Sequence, residues 1–232
     1  MRQSDLDDLK DVASRQELLA GISRVGESLG FGIATIAFRQ GRFDASPVFT
    51  SVTSAPPIWV ERAGDRELQK IDPVFHRLNT SLEPFFYDAD FYARNDAGPL
   101  WELAAPHGFV NGVSASLCLG PDRLLFWGFD SDEPLPRDEA RRMRMLSDNM
   151  LVGVMACAAA IRVLSVPAPV LTDRQLEVLR LVRAGKSSWV ISTLMSISEE
   201  TVNFHIKRIR AILGVSLRHQ AVTKAEELGL LD

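Results

Sequence analysis

The chain has 232 residues, 46% of them hydrophobic, with 26 Lys and Arg against 30 Asp and Glu; this exceeds one ordinary domain but falls short of two large ones. Two cysteines, Cys118 and Cys157, make neither a disulfide framework nor a metal-ligand spacing and are read as buried thiols of a reducing compartment. The polar start Met1–Asp8 has no signal-peptide pattern and no apolar run is read as reaching a membrane span, so a cytoplasmic protein without membrane contact is expected.

In chain order, residues 5–28 predict one helix with Leu6, Leu9, Val12, Leu18, Leu19 and Ile22 toward the core. Residues 31–39 predict a strand and 46–52 a second. Helices are expected over 57–69 and 72–80, an extended piece over 84–87, and a helix over 97–107. Residues 112–119 and 123–130 read as a hairpin around Gly120-Pro121-Asp122. A long helix over 136–164 follows, with Met150–Ala160 as its buried face. This mixture predicts an α+β fold, an α-β-α sandwich on an antiparallel sheet. The prolines of Ser165–Val170 prevent helix and central strand and mark a linker, dividing a domain of 1–164 from one of 171–232.

The first domain has no phosphoryl-receiver pattern, GxGxxG loop, GxSxG elbow or HExxH helix, and His76 and His107 are isolated in sequence. An enzyme, a cofactor and a metal are therefore not expected. Trp59, Asp72, Pro73, Phe75, Phe85, Phe86 and Tyr87 combine aromatic rings with one carboxylate. An apolar cavity with a few placed polar groups suits an amphiphilic small molecule. Ordinary core aromatics would read the same way.

The second domain is more specific. Ser187 or Ser188 suits a helix N-cap, and Ile191, Leu194 and Met195 give a buried stripe. Ser196-Ile197-Ser198 breaks the pattern, and Ser198 caps the next helix. That helix carries Glu199 and Glu200 in its first turn, where they complement the dipole, and only basic charges beyond it. Val202, Ile206, Ile209 and Leu213 form its apolar stripe, Asn203, Lys207, Arg208 and Arg210 lie opposite, and Gly214 ends it. Two short helices with this turn place side chains in a DNA major groove. Residues 170–232 hold nine Lys or Arg against seven Asp or Glu, while the remainder holds seventeen against twenty-three. The basic footprint is local to the DNA-reading part.

Residues 171–231 resemble the LuxR-type helix-turn-helix domain, an all-α four-helix unit. The resemblance is carried by Leu171-Thr172, Arg174, Glu177-Val178-Leu179, Gly185-Lys186-Ser187, Ile191, Ser198, Thr201-Val202-Asn203-Phe204-His205, Ile209, Leu213, Val215, Arg218, Ala221 and Gly229-Leu230. Two departures are Gln175, where an acid is usual, and Val190, where Glu is usual. The resemblance implies base-edge contacts from Asn203, Phe204 and Lys207. It places Arg208 and Arg210 at phosphates or groove edges, and Lys186 and Thr201 on the backbone. A homodimer on inverted-repeat half-sites of double-stranded DNA is expected, the terminal helix over 217–228 pairing with its twin.

Residues 15–162 resemble the autoinducer-binding domain of quorum-sensing LuxR-type receptors. The matching residues are Pro56, Trp59, Ile71-Asp72-Pro73-Val74, Phe86-Tyr87-Asp88, Trp101, His107-Gly108 and Gly112-Val113. The resemblance implies that Trp59 donates to a lactone carbonyl and Asp72 accepts from a ligand amide, with Val74, Trp101 and Phe126 about the ligand. Ala55 and Ala63 stand where the family has Tyr, Tyr87 where it has Trp, and Gly128 where a hydroxyl is frequent. Lost phenols leave space, so the expected signal is an acyl-homoserine lactone of atypical tail. The rival reading is a ligand-independent orphan regulator, or an anti-activator acting by dimerisation with a related receptor, through the helix of 136–164.

Overall fold

The computed structural model describes residues 3–41, 47–120, 122–167 and 169–231. Ser46 at the head of the expected second strand, Pro121 of the hairpin turn and Ala168 of the linker lie outside these. Residues 3–40 with 47–165 form one compact unit and 166–231 another.

In the first unit, β1 (Ile33–Gln40), β2 (Val48–Thr53), β3 (Phe85–Tyr87), β4 (Asn111–Cys118) and β5 (Arg123–Ser131) form one sheet in the order β2-β1-β5-β4-β3. Each neighbouring pair is antiparallel. Strand alternation sends Ala34, Ile36, Phe38, Val113, Leu125, Trp127 and Phe129 to one face. There α1 (Gln3–Asp7), α2 (Arg15–Leu29) and α8 (Glu139–Leu164) cover them. Fully burying rings such as Phe38 and Phe129 contributes about 1.5–3 kcal/mol each. Phe85, Tyr87 and Phe126 point the other way, into a second cluster. That layer is α3 (Pro57–Ala63), α4 (Arg66–Ile71), α5 (Pro73–Thr80), α6 (Ala89–Arg94) and α7 (Gly98–Ala104). The α-β-α sandwich is as expected.

Several boundaries differ from the expectation, each for a local reason. The helix expected over 5–28 is two. Ser14 has extended backbone and its hydroxyl accepts from Glu17 N, starting α2 afresh. Leu9 and Val12 in the intervening turn are still buried, which mimics a continuous stripe. The helix expected over 57–69 restarts at Asp65, which caps α4 by accepting from Glu67 N. The one expected over 97–107 ends at Ala104 in a 3-10 turn, since Pro106 has no N–H to continue the ladder. The short α6, capped by Asp88, was not expected at all. The long helix starts at Glu139, capped by Asp138.

By length and composition α8 could cross a membrane, contrary to the sequence reading. It packs instead as a core helix, with Val152, Ala156, Ala159, Ala160 and Leu164 against the sheet. Its backbone comes close enough to β5 that a Cβ on Gly153 would fall inside the Trp127 indole. The cysteine reading is also corrected. Cys118, at the open end of β4, is exposed, and Cys157 is only partly buried.

Candidate ligand site and DNA interface

On the sheet face opposite α8, the polar groups are brought together by helix starts and strand alternation. Pro73 opens α5 without orphaning an N–H, and Asp72 caps it. Asp72 Oδ1 accepts from Val74 N at 2.9 Å and from Phe75 N at 3.4 Å. The Tyr92 hydroxyl on α6 donates to the same carboxylate. Burial raises the Asp72 pKa, and these hydrogen bonds oppose it.

A second carboxylate was missed from sequence. Tyr87 lies opposite Gly112, where any Cβ would collide with its phenol ring. The Tyr87 hydroxyl donates to Asp130 Oδ1 at 2.5 Å, and the Ser114 hydroxyl bonds the Tyr87 oxygen. Asp130 is 2% exposed. Burial pushes its pKa up to about 7, the Tyr87 hydrogen bond opposes this, and the Asp72 charge adds to it. Gly128 pairs with Ser114 across β4 and β5, and a Cβ at 128 would meet Ser114 Oγ. The hydroxyl absent from position 128 therefore stands on the neighbouring strand, in the same space.

Trp59 is buried, its indole stacked on His107 with centroids 5.5 Å apart and tilted on Phe109 at 5.3 Å. His107 is thus not isolated. Among the described residues nothing accepts from the Trp59 N–H, whereas Trp101 and Trp127 donate to Val110 O and Asn149 O, each at 2.9 Å. Trp101, expected beside the ligand, is tied to backbone. Phe126 forms a ring triad with Phe49 and Phe75, with centroids 5.5–6.3 Å apart. Ala55 and Val74 lie in the buried cluster. Ala63 does not: α3 ends there, and the residue is exposed. Tyr92, Ser114 and Asp130 went unread, although alternation along β4 and β5 puts 114, 128 and 130 on one face.

Trp59, Phe85, Tyr87, Phe91 and Tyr92 bring their rings together in this cluster. Two clefts on this unit lie elsewhere. One, of about 630 Å³, is lined by Asp88, Asn111, Asp132, Arg137 and Arg142 among others, and one of about 340 Å³ by Ile58, Glu61, Arg62 and Asp65.

The second unit packs α9 (Asp173–Arg183), α10 (Ser188–Met195), α11 (Glu199–Leu213) and α12 (Arg218–Glu227) around Val178, Leu179, Ile191, Val202 and Ile209. Gln175, one of the departures, completes a reciprocal capping box with Thr172. Ser187 caps α10, Ser196 turns the chain at φ 53°, and Ser198 caps α11. Leu194, expected inside, is 59% exposed, leaving the stripe of this short helix to Ile191 and Met195. Asn203, Phe204, Lys207 and Arg208 are exposed along α11, with the Arg208 guanidinium 5.5 Å from the Phe204 ring centroid. Arg210 is partly buried, its Nη1 donating to Ser216 O at 2.7 Å. Lys186 is exposed, and the Thr201 hydroxyl bonds Ser198.

Residues 14–156 match the family described as autoinducer binding domain, and residues 169–225 the bacterial regulatory proteins of the luxR family. The chain belongs to the LuxR family. It is a DNA-binding transcriptional regulator with an autoinducer-binding domain, not an enzyme. Among LuxR-family relatives, it is 30% identical to the quorum sensing-dependent transcriptional regulator RpaR of Rhodopseudomonas palustris, over 95% of this chain and 92% of that one. It is 28% identical to the regulatory protein SdiA of Escherichia coli, over 93% and 90%. A structure of SdiA in complex with octanoyl-rac-glycerol aligns with TM-score 0.71 at 25% identity, covering 98% of this chain and 94% of that one.

Proposed function

We propose that this LuxR-family regulator is switched by an amphiphilic acyl signal seated between the sheet and the α3–α7 layer. Trp59 donates to a ligand carbonyl, and Asp72 accepts from a ligand amide N–H. The Phe49, Phe75 and Phe126 rings meet the tail. The observation that carries this reading is the Trp59 indole N–H, without an acceptor among the described residues, in the helical layer that also holds the Asp72 carboxylate. An N–H with no protein partner is open to a ligand carbonyl, a hydrogen bond that contributes about 1 kcal/mol. Ala55, inside the buried cluster where the family has Tyr, favours a long, branched or aryl acyl-homoserine lactone. The SdiA complex with an acyl glycerol supports an acyl amphiphile as the class.

The domains of 1–164 and 171–232, joined through 165–170, then act in sequence. Ligand burial completes the first, two copies associate, and Asn203, Phe204 and Lys207 read inverted half-sites. Lys186, Thr201, Arg208 and Arg210 hold the phosphates. The setting is the cytoplasm.

Thermal shift of the full chain against acyl-homoserine lactones of short, long, branched and aryl tail, and against 1-octanoyl-glycerol, tests this. Long or bulky tails are expected to raise Tm. Trp59→Phe is expected to weaken the binding about fivefold, a loss of about 1 kcal/mol. Asp72→Asn keeps the α5 cap, so weaker binding in that variant reports the ligand contact. Stabilisation by a short plain tail alone, or full binding by both variants, contradicts the reading.

One observation favours a second reading. Met143, Leu151 and Val154 are 60%, 42% and 52% exposed along α8, an apolar stripe suited to a ligand-independent dimer. Folded dimer recovered from cells without any signal would support it.

A further inference from the structure

Three elements of the helix-turn-helix unit meet at one hydroxyl. The Arg218 guanidinium, in the first turn of α12, donates through Nη1 to Ser188 Oγ at 3.0 Å and through Nη2 to Lys186 O at 2.6 Å. The Ser188 hydroxyl, at the first position of α10, donates to Asn203 Oδ1 on α11 at 2.8 Å. The direction of the chain follows from chemistry. A guanidinium only donates, so Ser188 Oγ accepts from Arg218 and keeps its hydrogen for the amide oxygen. Ser187, not Ser188, caps α10, so the Ser188 side chain is free for this use.

We infer that Arg218 and Ser188 are positioning residues that set base selectivity by fixing the side chain of Asn203. An exposed asparagine otherwise samples several rotamers and both amide orientations, and only one of them matches a given base edge. Anchoring Oδ1 before DNA arrives holds the amide in a single presentation and removes part of the ordering cost of recognition. The relay also joins α12 to the helix-turn-helix through Lys186 O, so the terminal helix bears directly on the reading surface. This inference rests on α11 reading base edges.

The test is in vitro selection of randomised duplex DNA by the full chain, prepared with N-octanoyl-homoserine lactone and without it. Asn203→Ala first marks the base pair that Asn203 reads, as the one whose preference disappears. Ser188→Ala is then expected to flatten preference at that same base pair about tenfold, leaving the others unchanged. Ser188→Thr, which keeps the hydroxyl, restores it. The double variant is expected to be no worse than Asn203→Ala alone. Arg218→Lys, which cannot hold both partners in one fork, gives an intermediate profile. Melting curves confirm that each variant is folded. A uniform loss at all positions would make Ser188 a phosphate contact and overturn the inference, as would an unchanged profile. Failure of the wild type to enrich any site counts against base reading by α11 itself, an outcome distinct from equal enrichment by wild type and Ser188→Ala.

Discussion

Asp130 shows how one residue can tie stability to pH. Its carboxyl is buried under the sheet-face cluster, which pushes its pKa up to about 7, whereas an aspartate in the unfolded chain loses its proton near 3.8. Between those values the folded state holds a proton that the unfolded chain has released. Stability therefore falls as pH rises from about 4 to about 7 and then levels, the opposite of a salt-bridged aspartate. Asp130→Asn keeps an acceptor for the Tyr87 hydroxyl and cannot ionise. It should lose this slope, and urea melts at pH 5, 6, 7 and 8 would show it. A wild type that gains stability across that range would mean the carboxyl is ionised when folded.

The candidate ligand-site residues divide by the kind of signal each leaves in the chain. Trp59 and Asp72 were singled out through the resemblance to the autoinducer-binding domain, and local spacing adds only that Asp72 stands before the proline that opens a helix. Asp130, Ser114 and Tyr92 were not, because their partners are 43 residues away, across a strand pair, or on an unread helix. A lone aspartate at the end of the apolar run Leu124–Phe129 was the available clue.

At the scale of elements, strands and caps were legible where chemistry is local. The β4–β5 hairpin, the linker prolines and the Ser198 and Gly214 boundaries of α11 all follow from residues within a few positions. The helix break at 8–14 was hidden because buried turn residues continue the apolar stripe, as Leu9 does by packing where a Cβ on Gly21 would lie. The packing of α8 on β5 leaves one flaw that sequence could not reveal. Asn149 is fully buried, its backbone carbonyl takes the Trp127 indole, and neither end of its side-chain amide has a partner among the described residues. Asn149→Leu keeps the volume and removes the unsatisfied groups, so it should stabilise the first unit by about 1–2 kcal/mol. A rise in the urea midpoint with unchanged m-value would register it. A drop would mean that the amide is satisfied in solution.

On the scale of the molecule, the two units have separate cores. No residue of the clusters behind Trp127 and Tyr87 belongs to the cluster around Ile191 and Ile209. Charge divides in the same way, with the acidic excess in the first unit and a small basic excess in the second. A signal that binds beside Trp59 therefore has differential affinity only for the folded first unit. By mass action it stabilises that unit by about 2.7 kcal/mol at one hundred times its Kd and leaves the second unchanged. Calorimetry of the full chain should resolve two transitions, of which only one moves when a long-chain acyl-homoserine lactone is added. Trp59→Phe should reduce the movement, and Val202→Ala should lower the other transition alone, since it removes buried volume from the helix-turn-helix core. Equal movement of both transitions on adding the lactone would show that the signal is felt as folding energy beyond the unit that holds it. Control of DNA binding would then run through shared stability rather than through association of the first units.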